Sequence, residues 1–167
     1  MNSPGIVPEV TTVHESGRTC LVAVDDSDAS VHALVWAFRH ATVRGMCVEV
    51  LTVWPPHRSP LIHEVPGHFS AARASARAAQ QDALRRAVGV APDGPVTAAR
   101  LENADAGAAI VRASVRCDLV VLGTDEDDRS HSLTDRILEE AACDVVVVGS
   151  SGAADVRRRS GPSSESR

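Results

Sequence analysis

The sequence predicts a doubly wound α/β sandwich, a parallel sheet covered by helices on both faces. Three observations carry this. Short β-branched or apolar runs alternate along the chain with segments of helical period. Some of those runs, such as DLVVLG and DVVVVG, are apolar at every interior position, as strands buried on both faces must be. Aromatic residues make up 2% of the chain while hydrophobic residues make up 44%, so the core has to be assembled from Val, Leu, Ile and Ala. At 167 residues the chain suits one domain with a sizeable core.

The first element is CLVAV, a continuous apolar run ahead of Asp25. Ser27 follows as an N-cap, and Val31, Leu34, Val35, Phe38 and Ala41 recur at helical spacing until Gly45, behind the basic Arg44, stops the helix. The second strand is MCVEVLTVW, closed by Pro55 and Pro56 before a loop rich in Pro and His that reaches Gly67. From Ser70 to Val88, Ala and Arg dominate, a composition of high helix propensity. PVTAARL is a weaker third strand, Asp105 caps a helix through Val115, and DLVVLG is the fourth strand. Leu133, Ile137, Leu138 and Ala141 mark a last short helix before the fifth strand, DVVVVG. Residues 1–18 and 151–167 hold Pro, Gly, Ser and Arg without a period and read as flexible arms around a domain at 19–150. Five strands alternating with four helices require parallel pairing through right-handed crossovers. A ligand would then sit beyond the carboxyl ends of the strands, where Asp25, Asp26, Val53, Trp54 and Gly123 fall.

Charge and composition exclude several classes. The net charge is −5 and every cation is Arg, which argues against a general nucleic-acid or anionic-membrane surface. The opening residues carry neither a basic n-region nor an apolar h-region, and no apolar run approaches a membrane span, so a cytoplasmic protein is expected. Cys20, Cys47, Cys117 and Cys143 lack CxxC spacing, which points to reduced thiols and away from a disulfide framework or zinc knuckle. HEVPGH is not a zincin motif, because His63 and His68 are five apart with Pro66 and Gly67 between them. No Ser has a His and an acid at a spacing that fixes a triad, so no catalytic residue is expected.

Taken in order, LVAVDDSDASVHALVWAFRHATVRG, VEVLTVW, CDLVVLGT and ACDVVVVG resemble the landmarks of universal stress protein domains over residues 20–150. The resemblance implies a five-stranded sheet of order 3-2-1-4-5 of the adenine nucleotide alpha hydrolase-like kind, and a cytoplasmic homodimer. It also implies an ATP site in which Asp25 and Val53 hold adenine and ribose. The family's phosphate loop runs glycine, two residues, glycine, nine residues, glycine, then Ser or Thr. Glycines there let backbone N–H groups approach phosphate oxygens. In this chain Gly123 and Ser132 match, Glu126 replaces the second glycine, His131 replaces the third, and the loop is about five residues short.

Four consecutive carboxylates, Asp125 to Asp128, occupy that loop. At about 7 Å and an effective dielectric of about 40, each pair of like charges costs roughly 1 kcal/mol, so ordinary ATP binding is not expected. The acidic run is otherwise a solvated loop ahead of a helix, a cation site or a partner-recognition element. The apolar fifth strand, Val145, Val146, Val147 and Val148, lies at a sheet edge in the implied order and invites pairing with a second copy. The four cysteines lie five or six residues before the ends of their strands, forming a row opposite the ligand edge. Some pair there could oxidise or bind a soft metal, or all four could be small core fillers. The sequence therefore reads as a dimeric stress-response or adaptor protein with protein partners, no cofactor and no usual ATP site. One alternative keeps weak adenine-nucleotide binding through Asp25, Val53, Gly123 and Ser132; another is a thiol- or metal-based sensor.

Overall fold

The computed structural model describes residues 17–56, 71–125 and 131–157. The chain order is β1 (Thr19–Ala23), α1 (Asp28–Arg44), β2 (Cys47–Trp54), α2 (Ala71–Val90), β3 (Val96–Asn103), α3 (Ala106–Ser114), β4 (Leu119–Thr124), α4 (His131–Glu140), β5 (Asp144–Gly149) and β6 (Ala154–Arg157). The strands form one sheet of order β3-β2-β1-β4-β5-β6. The first five are parallel, in the expected order 3-2-1-4-5.

Side-chain alternation along each strand divides the core into two layers. On one face Cys20, Val22, Val48, Val50, Val121 and Val146 pack against Leu34, Ala37, Phe38 and Ala41 of α1 and Ala83 and Ala87 of α2. On the other, Leu21, Leu51, Val120, Leu122 and Val145 pack against Ala109, Ile110 and Ala113 of α3 and Ile137 of α4. Small helix residues let the backbones lie close to the sheet, which is how a core nearly free of aromatics fills its space.

Helix ends follow local hydrogen-bond chemistry. Ser27 caps α1 by accepting from Ser30 N, and Gly45 closes it with a left-handed φ of 62°, a conformation that costs an L-residue with a Cβ. Asp105 caps α3 by accepting from Ala108 N.

The sheet has six strands, one more than the sequence predicts. Beyond β5 the chain turns at Gly152, whose φ is 77°, and Gly149 N donates to Ala153 O at 2.8 Å. Residues 154–157 then run antiparallel along β5, with Val148 opposite Ala154, Val147 opposite Asp155, Val146 opposite Val156 and Val145 opposite Arg157. Two corrections follow. Part of the segment read as a tail is a strand, and β5 is not an edge. Its outer hydrogen-bonding groups, on which the expected homodimer through Val145–Val148 was built, are taken by β6. The physical reason is that residues 154–157 complete the ladder of an apolar strand that would otherwise expose its backbone.

Candidate functional site

From β1 the chain winds outward to β3, then crosses back to β4 on the other side of β1. At that reversal the carboxyl ends of β1 and β4 diverge and leave a cleft, as open α/β sheets do. Asp25, Ser27, Val53, Ile110, Gly123 and Asp125 line it, and Leu133, Thr134 and Ile137 of α4 close its far wall. Three residues expected at a ligand site, Asp25, Val53 and Gly123, are thus brought together. Ser132 falls in the first turn of α4, but its side chain lies outside the described residues. Glu126 and the rest of the acidic run beyond Asp125, and His57, His63 and His68, also lie outside them.

Each of the three carries local work of its own. Asp25 Oδ1 accepts from Ser27 N at 2.9 Å and from Ser27 Oγ at 2.5 Å, which fixes the side chain that caps α1. Ser30 Oγ donates to the carbonyls of Asp25 and Ser27, at 3.1 and 2.9 Å, tightening the same turn. Val53 is half-buried and packs on the layer shared with α3 and α4. Gly123 is where α1 crosses the end of β4. A Cβ there would sit 2.3 Å from Ala29 C and O and 2.6 Å from Ser30 N. Space for the helix, and not phosphate, already demands glycine at this point.

The cleft's charge is one-sided. Among the described residues that line it, Asp25 and Asp125 are charged and none is a cation. Arg136 on α4 is held elsewhere: its Nη1 donates to Asp105 Oδ1 at 2.9 Å, and its Nε pairs with Glu140 at 3.3 Å. The Ala108 N–H, and then the Arg136 guanidinium, keep the Asp105 carboxyl below its usual range. The floor is apolar, formed by Leu51, Val53, Ile110, Leu122 and Ile137. The sequence reading missed Ile110, Ile137 and Leu133 as lining residues. Their helical spacing marked them as core, which Ile110 and Ile137 also are, and only the divergence of β1 from β4 opens a cleft beside them.

At the opposite ends of the strands the cysteine row is partly realised. Cys117 Sγ and Cys143 Sγ lie 4.0 Å apart, Cys20 is fully buried in the other layer, and Cys47 is half-buried beside Gly17. Among the described residues no group of three or more His, Cys, Asp or Glu could hold a metal ion. None of their helices is long and apolar enough to cross a membrane.

Comparison with known proteins defines the class. The model of the universal stress protein family matches residues 17–159, and the chain belongs to that family. Among solved structures, a protein of the universal stress protein family from Burkholderia pseudomallei is 27% identical, with 78% of this chain and 94% of that one covered and a TM-score of 0.58. Universal stress protein UspA from Lactobacillus plantarum is 22% identical, covering 80% of this chain and 99% of that one, with a TM-score of 0.58. An Arabidopsis thaliana universal stress protein family protein with AMP bound is 19% identical, covering 79% and 91%, with a TM-score of 0.55. No curated protein matches significantly. The family match reaches past β5 to include the residues of β6.

Proposed function

We propose that this chain is a non-catalytic stress-response or adaptor protein, acting in the cytoplasm through protein partners, whose cleft does not hold ATP in the manner of a glycine-loop nucleotide site. The observation that carries this is the one-sided charge of the cleft: Asp25 and Asp125 face it, with no cation among its described lining residues. A triphosphate entering there meets like charge at two carboxylates, the exposed Asp25 and the half-buried Asp125. Gly123, the one glycine retained from the phosphate loop, is accounted for by the passage of α1. Calorimetric titration with ATP, with and without magnesium, beside the variant Glu126→Gly tests the reading. No heat of binding from the native chain is the expected result. Binding tighter than about 10 µM, or about −7 kcal/mol, would restore a nucleotide switch.

A second reading keeps weak adenine-nucleotide binding through Asp25, Val53, Gly123 and Ser132. It is favoured by the apolar floor, which suits a purine ring, and by the AMP described in the Arabidopsis relative. Saturable binding of adenosine or AMP without comparable binding of ATP would select it. The homodimer reading is now conditional: a second copy can pair with Val145–Val148 only after residues 154–157 leave that edge.

A further inference from the structure

We propose that Cys117 and Cys143 form a reversible dithiol–disulfide site at the amino-terminal edge of the sheet, oxidised by a hydroperoxide. The site is independent of the cleft and of whether a nucleotide binds there. The two Sγ atoms are 4.0 Å apart, and a disulfide needs about 2.05 Å, a closure of about 2 Å that side-chain rotation and a small turn movement can supply. Neither residue lies inside a strand: Cys117 is in the turn from α3 to β4, and Cys143 is immediately before β5. The backbone can therefore give where a ladder could not. Both are half-buried, open to a small oxidant, whereas Cys20 is fully buried. The turns are fastened together without the thiols, because Ala142 N donates to the buried Ser114 Oγ at 2.8 Å. The pair is thus adjacent in the reduced state, which small core fillers in separate elements have no need to be.

The surroundings give the two thiols different roles. Cys143 is held below the usual thiol range by its hydrogen bond with Cys117, in which either sulfur can donate, and by the Val120 N–H, against burial and the carboxylates of Asp144 and Asp118. Cys117 is pushed up by its hydrogen bond to Cys143 and by burial, with Glu49 and Cys20 adding to the effect. The Val120 N–H reaches the Cys143 sulfur, whereas the Cys117 thiol donates to the Ala113 carbonyl at 3.4 Å, so Cys143 is assigned as the attacking thiolate and Cys117 as the resolving thiol. The Cys143 sulfur attacks one peroxide oxygen, the O–O bond breaks, and an alcohol or water leaves with Cys143 as the sulfenic acid. The Cys117 sulfur then attacks the Cys143 sulfur, the S–O bond breaks, and water departs with the Cys117 proton. The two thiols lose two electrons and the peroxide gains them. The product ring spans β4 and α4, the elements that carry Gly123 and Ser132.

The test uses the reduced full chain, treated with equimolar hydrogen peroxide in the native state, alkylated and digested at arginine. The expected product joins the peptide 117–129 to the peptide 137–157 with the loss of two hydrogens, is intramolecular and is reversed by dithiothreitol, while Cys20 and Cys47 remain alkylated. In Cys117→Ser, dimedone should capture a sulfenic acid on Cys143; in Cys143→Ser, peroxide consumption should fall to the level of an unreactive thiol. Separate alkylation of both peptides after native treatment, with oxidation only on unfolding, would overturn the proposal. A disulfide found between chains, or one joining a different pair, would overturn it equally. The peptide readout needs no variant to fold.

Discussion

At the scale of single residues, Gly123 changes its meaning between sequence and structure. Its place after an apolar strand marks it as a phosphate glycine, whereas α1 passing within van der Waals range gives it a packing role that no ligand is needed to explain. Gly123→Ala should therefore destabilise the ligand-free protein by about 1–3 kcal/mol in urea denaturation, the range of an overpacked core site. A variant as stable as the parent would return Gly123 to the phosphate argument. Sequence reasoning brought Asp25, Val53 and Gly123 to one edge because each ends a strand. It could not see that Asp25 is engaged with Ser27 or that Ala29 covers Gly123, since both depend on how α1 leaves β1. His40, stacked on Trp36 with ring centroids 4.6 Å apart, supplies a pH effect. Burial, then Arg44 and Arg18, hold its imidazole below the usual 6.5. The unfolded chain then binds the proton more readily than the folded one, so this contribution to stability is complete above 6.5 and is lost as pH falls through that value toward the folded one. The urea midpoint should drop on acidification through this window, and the slope should flatten in His40→Gln. An unchanged slope would show that His40 titrates alike in both states.

At the scale of elements, the helices were legible because their ends are local chemistry: Ser27, Gly45 and Asp105 act within a few residues of where they stand. β6 was not. Four residues, ADVR, inside a stretch rich in Ser, Gly and Arg carry no period, and what makes them a strand is the unpaired edge of β5. The two are tied by a ladder that covers Val145 to Val148, while Val156 on the outer strand stays 50% exposed. Removing residues 153–167 should leave β5 bare and promote self-association. Sedimentation of the truncated and intact chains across a concentration series checks this: the truncated form should associate at the lower concentration. Equal association would mean that β6 does not guard that edge.

At the scale of the whole molecule, the sheet separates two kinds of surface. The carboxyl ends of the strands open into a cleft lined by Asp25 and Asp125, and the amino ends gather Cys117 and Cys143. The alternation of elements foretold this division, because parallel strands place all their ends of one sense together. Apolar periodicity does not say where winding reverses, so the switch between β1 and β4 came from resemblance to a family, and the depth of the cleft from neither. β6 also makes the closure of the sheet depend on one short turn. Residues 154–157 follow β5 after only four residues, and among the described residues they alone give the Val145–Val148 edge its pairing partner on that side. A protease cutting in the turn between them would free that margin to neighbouring molecules, so the integrity of four residues decides whether the sheet stays closed to its own kind.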